Sequence, residues 1–92
     1  MKKALHIIVQ GRVQGVGYRW FAREAANRLN INGFVRNLPN GDVEVVAVGE
    51  EENIDQFVLQ LKRGPAFAYV TNLKMQPLSP DEATYDSFEV TF

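Results

Sequence analysis

Apolar residues along this chain switch between two spacings, and the order of the switches constrains the fold more than any other feature. Ala4 to Gln10 alternates, with Leu5, Ile7 and Val9 on one face and His6, Ile8 and Gln10 on the other, as a strand requires. From Tyr18 to Leu29 the apolar positions Tyr18, Phe21, Ala22, Ala25, Ala26 and Leu29 recur every three or four residues. Arg23, Glu24, Asn27 and Arg28 fill the other side, which predicts an amphipathic helix. Ile31 to Leu38 and Asp42 to Val48 predict two strands joined at Leu38-Pro39-Asn40-Gly41, where Asn40-Gly41 is a strong hairpin signal. A second helix begins at Glu50 to Glu52, whose charges suit the positive end of its dipole, and carries Ile54, Phe57, Val58 and Leu61 at helical spacing. Lys62 and Arg63 close it and Gly64-Pro65 stops it. Val70 to Gln76 predicts a fourth strand, Pro77 to Asp86 a polar loop, and the alternation of Phe88, Val90 and Phe92 a short terminal strand.

The resulting order is strand, helix, strand, strand, helix, strand, with one strand added. Right-handed crossovers return each strand-helix-strand unit over the same side, so both helices must lie on one face of an antiparallel sheet. The expected class is α+β: a ferredoxin-like βαββαβ sandwich with a short extra C-terminal strand. A chain of 92 residues has surface enough for one hydrophobic core, so residues 1–92 are expected to form a single domain. No internal repeat, linker or low-complexity stretch interrupts it. Because this architecture hosts many unrelated activities, function has to be sought in particular side chains.

Several chemistries are excluded at once. The chain has no cysteine, hence no disulfide, thiol nucleophile, thiolate metal site or iron–sulfur cluster. Its one histidine, His6, rules out a multi-histidine zinc site and lies mid-strand away from the apolar face, where a structural or solvent role is expected. No apolar run approaches the roughly 20 residues of a membrane-spanning helix and no signal peptide opens the chain, which leads to the expectation of a cytoplasmic protein without a membrane partner. The net charge of −1 argues against a dedicated nucleic-acid binder. The charges are unevenly spread, however. Residues 1–40 carry seven basic groups and one acid, whereas the remainder carries three basic groups and ten acids. Such a positive pole suits a small anionic ligand; equally, the two halves of the sequence could interleave in space and cancel.

The informative segment is Gly11-Arg12-Val13-Gln14-Gly15-Val16-Gly17-Tyr18-Arg19. It joins a strand to a helix N-terminus, where free N–H groups and the positive dipole end favour an anion. Three glycines let the backbone curl close to a ligand. Arg19 stands in the first helical turn, where a cation opposes the dipole, and a locally unfavourable residue invites a functional explanation. The plainer alternative is a glycine-rich connector with solvated arginines. The segment is neither a phosphate loop of the Gly-Lys-Ser/Thr type nor a dinucleotide fingerprint, since Trp20 occupies the third glycine position.

An arginine and a ring of amides can serve phosphoryl transfer, which needs positioning and charge stabilisation more than covalent chemistry. The leaving group must then be a good one. A phosphate monoester expels an alkoxide and normally requires a general acid or a metal, neither of which is evident. An acyl phosphate expels a carboxylate whose conjugate acid has a pKa of roughly 4, so no proton donor is required.

The segment just quoted, followed by Gly33-Phe34-Val35-Arg36-Asn37 and Gly41-Asp42-Val43-Glu44-Val45, resembles the paired signatures of the acylphosphatases, and the likeness spans nearly the whole chain. It implies hydrolysis of a small-molecule acyl phosphate to carboxylate and inorganic phosphate, with no cofactor and no metal. By position, Arg19 would be the family's phosphate-binding arginine and Asn37 its water-orienting asparagine. The amides of Gln14, Gly15, Val16, Gly17, Tyr18 and Arg19 would form the phosphate cradle. Inorganic phosphate or sulfate would bind there as product or inhibitor, and a monomer is expected. Phe34 stands where the family often has tryptophan, Ala66 where a second proline is frequent, and Asn30 where glycine usually ends the first helix. The last departure bears on the helix cap.

Other readings of the same residues remain. Asn37, taken alone, could cap the turn that follows it. Arg36 should point to the opposite sheet face from Asn37 and is the weaker candidate. Trp20, Phe21 and Phe57 read as packing residues, and Glu50-Glu51-Glu52 as a solvated helix start. At the level of the whole protein, a regulatory domain that senses an anion without turnover is one rival, but it has no need of a water-positioning amide. A single-stranded RNA module is another, and it would stack bases on sheet aromatics that Ala4 to Gln10 lacks.

Overall fold

The computed structural model describes residues 1–81 and 83–92; Glu82, within the expected polar loop, lies outside the described residues. Its elements are β1 (Lys2–Arg12), α1 (Tyr18–Arg28), β2 (Asn32–Asn37), β3 (Val43–Glu50), α2 (Glu51–Arg63), β4 (Tyr69–Leu78) and β5 (Phe88–Thr91). They form a five-stranded sheet in the order β4-β1-β3-β2-β5. The first four strands pair antiparallel, as expected for a ferredoxin-like arrangement. The added strand β5 pairs with β2 in parallel, so the five-stranded sheet is mixed. Direction follows from the path. β4 lies at one edge and runs against β1, the next segment crosses the end of the sheet where β4 finishes, and a strand starting there must run opposite to β4, which is the direction of β2.

Alternation along β1 delivers Leu5, Ile7 and Val9 to the face beneath the helices, where they meet Val35, Val43, Val45 and Ala47. Ala22, Ala25 and Ala26 of α1 and Ile54, Phe57 and Leu61 of α2 close the other side, all fully buried. Small alanines let α1 approach the sheet closely, while Phe57 fills the centre and meets Phe88 edge-on at 5.8 Å. Side chains of this size contribute about 1.5–3 kcal/mol each when fully buried. β3 breaks the alternation, since Val45, Val46, Ala47 and Val48 are all buried. A central strand covered on both faces has that pattern. The cover on the second face is the segment after β4, expected only as a polar loop: Ala83 packs with Ala4, Val46 and Val48, flanked by Phe34 and Leu78.

Two backbone positions explain departures noted in the sequence. Asn30 takes φ 56°, the left-handed conformation that glycine usually supplies, while Ile31 N–H bonds to Ala26 O at 2.8 Å and its side chain is buried beside the helix end. Asparagine is among the few other residues that tolerate this geometry, so α1 ends as a glycine-capped helix would. The hairpin between β2 and β3 turns on Pro39 and Asn40 as the central pair, not on Asn40-Gly41. Gly41 N–H bonds back to Leu38 O at 3.1 Å, and Gly41 at φ 98° then restores the register.

Candidate active site

β1 reaches two residues beyond the predicted strand, through a bulge at Gln10/Gly11, before the connection to α1 starts. Val13 plugs that connection into the core at 1% exposure. Gly15 and Gly17 then take φ 73° and 78°, and a Cβ at either would meet nothing within 4 Å, so they frame an open concavity. Gly17 is also the N-cap of α1; no side chain caps this end and no acid stands in its first turn. The first N–H groups of the helix are therefore directed at the concavity with the positive end of the dipole behind them. Tyr18 fixes the helix start from the opposite side. Its ring is buried, its hydroxyl donates to Leu61 O of α2 at 2.7 Å, and burial pushes that hydroxyl's pKa well above its ordinary value.

The concavity opens into a cleft of about 400 Å³ whose lining includes Gly15, Gly17, Tyr18, Arg19 and Asn37 together with Trp20, Arg23 and Phe92. Arg19 leans over it, donating from Nη1 to Thr91 O of β5 at 3.3 Å with its guanidinium 4.8 Å from the Phe92 ring. Asn37, the last residue of β2, shares the helix-side face with Val35, and its Oδ1 is buried without a hydrogen-bond partner. It does not cap the turn. Asn40 does that, accepting the Asp42 N–H at Oδ1 over 3.0 Å.

Arg36 projects to the other face, as its position dictates, and pairs with Glu44, which also meets His6 Nε2 at 2.8 Å. Burial pushes the Glu44 carboxyl up, but the hydrogen bonds from His6 and Arg36 outweigh it, and its pKa lies below the ordinary value of 4.5. The charge asymmetry is thus divided: Arg36 and Lys3 face acids from the second half, Glu44 and Asp55, while Arg19 and Arg23 stay at the cleft.

Two loop residues behave differently from their glycine neighbours. Val16 packs its side chain on the core. Gln14 turns its side chain away from the concavity, and Nε2 donates to both Leu38 O and Asp42 O at 2.8 Å, clamping the loop to the hairpin that carries Asn37. The sequence implies only a backbone role for Gln14, since nothing in a local pattern ties position 14 to carbonyls 24 and 28 residues away. Trp20 is a correction. Expected in the packing, it is 60% exposed at the rim of the cleft, because two residues after Tyr18 a helix has turned past its buried stripe. Phe57 packs as expected.

Among the described residues no group of three or more His, Asp or Glu side chains gathers where a metal ion could be held, and no helix is long and apolar enough to cross a membrane. The sequence profile described as acylphosphatase matches residues 5–90, a span that takes in the loop, both helices, β2, β3 and β4, and most of β1 and β5. The chain belongs to the acylphosphatase family. An acylphosphatase of Archaeoglobus fulgidus is 45% identical over 89 residues, covering 97% of this chain and 98% of its relative. The crystal structure of acylphosphatase from Bacillus subtilis superposes with a TM-score of 0.93 at 35% identity over the full length of both chains. An acylphosphatase structure from Coxiella burnetii gives 0.92 at 37% identity, covering 98% of this chain and 93% of that one. Like the acylphosphatases it matches, the protein is a hydrolase of acyl phosphates.

Proposed function

We propose that the glycine-framed concavity holds the phosphoryl group of the acyl phosphate, with the amides of residues 14–19 and the Arg19 guanidinium on its oxygens, and that Asn37 orients the attacking water. The water adds to phosphorus opposite the acyl oxygen, the bond from phosphorus to that oxygen breaks, and the electron pair leaves with the carboxylate. The water's proton ends on inorganic phosphate. Because the departing carboxylate is a weak base, no general acid is required. Arg19 and the amides stabilise charge on the equatorial oxygens, and their fixed orientation in the cleft removes the cost of reorganising water around it.

The observation that carries this reading is the unpartnered Asn37 Oδ1, buried and facing the same cleft as Arg19. Leaving such an atom without a partner costs about 1–3 kcal/mol, an expense understandable where a water or substrate group is to be received. An anion sensor gives no reason for it. The reading extends to a monomer of one domain, residues 1–92, acting in the cytoplasm on a small molecule, without nucleic acid, metal or cofactor.

The test separates the two roles. Arg19→Gln should weaken inorganic phosphate binding about tenfold or more and also collapse turnover, and Arg19→Lys should rescue poorly, because a point charge lacks the two parallel contacts of a guanidinium fork. Asn37→Ala should lower kcat by about 100-fold while phosphate affinity stays near wild type. Normal turnover by Asn37→Ala, or a loss of phosphate binding as severe as that of Arg19→Gln, would overturn the division of labour.

A further inference from the structure

The phosphoryl group accounts for one of the two guanidinium groups at the cleft. Arg23 lies one helical turn beyond Arg19 on α1, and it lines the same cleft. Its guanidinium sits 4.7 Å from the ring centroid of Trp20. Stacking of this kind holds the planar group by its face and leaves its N–H edges free to donate. Among the described residues neither Arg19 nor Arg23 has a carboxylate within ion-pairing distance, and no Asp or Glu lines the cleft. Trp20, at 60% exposure, is an expensive surface residue unless its ring is used, and here it forms the outer wall on which Arg23 rests.

We infer that Arg23, seated on Trp20, recognises a second anionic group on the acyl part of the substrate. This rests on the phosphoryl group occupying the loop as proposed above. Residues four apart on a helix are separated by about 5–6 Å at their Cβ atoms, so Arg23, held against Trp20, stands one helical turn beyond Arg19 on the same cleft lining. A carboxylate three or four bonds beyond the acyl carbon falls in that range. The preferred substrate class is therefore the monoacyl phosphate of a short dicarboxylic acid. Hydrolysis yields the free dicarboxylate and inorganic phosphate with the bond changes already described, and no further reactant enters.

Fumaryl monophosphate and crotonyl phosphate make the matched pair of probes. Both are planar four-carbon acyl phosphates, the trans double bond prevents the distal carboxylate from attacking its own anhydride, and they differ only in a carboxylate against a methyl group. Phosphate release by wild-type protein, corrected for spontaneous hydrolysis, should give kcat/KM about tenfold higher for the fumaryl compound, the size expected of one charge-assisted contact at a partly exposed site. The preference should shrink as ionic strength rises from 0.01 to 0.1 M and the screening length falls from about 30 to about 10 Å. Arg23→Gln should bring the ratio near one, and Arg23→Lys should restore part of it. Equal kcat/KM for the two compounds in wild-type protein would overturn the inference while leaving acyl phosphate hydrolysis intact, and so would a preference that survives in Arg23→Gln. Failure to release phosphate from acetyl phosphate, which carries no second anion, would instead remove the hydrolytic reading on which the inference stands.

Discussion

Replacing Gln14 with alanine removes the clamp between the loop and the β2–β3 hairpin, and its effect on stability can be worked from the contacts. Two hydrogen bonds are lost, to Leu38 O and Asp42 O. Neither acceptor is left bare: Leu38 O keeps the Gly41 N–H at 3.1 Å and Asp42 O keeps the Leu38 N–H at 2.9 Å. The loss is therefore the net value of two half-buried bonds, about 0.5–1.5 kcal/mol each, without the larger penalty of an orphaned carbonyl. A total of about 1–3 kcal/mol lowers Tm by roughly 4–24 °C in a domain of this size, which a thermal melt followed by circular dichroism would register. The functional effect is more specific. Leu38 directly follows Asn37, so loosening its carbonyl lets the Asn37 amide drift relative to the loop, and small misplacements of a positioning group are costly in rate. We expect kcat to fall about five- to tenfold with phosphate affinity changed less than about threefold. In an Asn37→Ala background the same Gln14→Ala change should have little further effect on kcat, since it acts through Asn37. Unaltered kcat in Gln14→Ala despite a lowered Tm, or full additivity in the double variant, would refute the coupling.

The glycines divide into two kinds. Gly33, at φ 140°, leaves no room, since a Cβ there would stand 1.9 Å from Val46 O, so Gly33→Ala should cost more than about 2 kcal/mol in urea unfolding. Gly15 has open space around it, so Gly15→Ala should cost only about 1 kcal/mol of backbone strain but weaken phosphate binding by intruding on the concavity. The pKa of Glu44 is lower in the folded protein than its ordinary value, so its contribution to stability is present above about pH 4.5 and disappears as pH falls through the folded value. Urea midpoints of wild type and Glu44→Gln should accordingly converge as pH drops from 6 to 3. Inorganic phosphate and sulfate should inhibit competitively, and turnover should survive EDTA; inhibition that leaves KM unchanged, or activity restored by a divalent cation, would contradict the proposed site.

Much of this arrangement is legible in the sequence because it rests on local rules. The spacing of Leu5, Ile7 and Val9 and of Ala22, Ala25 and Ala26 sets which faces meet, and Gly64 at φ 68° ends α2 where the sequence shows glycine. Arg19 stands out because a cation in the first turn opposes the dipole, and the structure sets it in one cleft with Asn37 and the loop glycines. What escaped the sequence depends on partners far along the chain. Gln14 reads as one more polar loop residue until the hairpin carbonyls come to it. Trp20 reads as core on hydrophobicity, though its angle around the helix turns it outward. The parallel course of β5 depends on where the segment after β4 crosses, and no periodicity encodes a crossing.

The sheet order β4-β1-β3-β2-β5 puts two consecutive strands, β4 and β5, at opposite edges, so neither pairs with its neighbour in sequence. Arg19 draws its backbone acceptor, Thr91 O, from 72 residues downstream. During synthesis the glycine loop leaves the ribosome early, yet the cleft cannot be complete until β5 has emerged and found the far side of β2. Entropy lost in closing so long a segment is recovered only at that docking step, a topology associated with folding slower than that of helical bundles. If the loop holds phosphate as proposed, its capture is a late event in the life of a nascent chain, and refolding monitored through that ligand reports on the last strand to arrive, not on the loop itself.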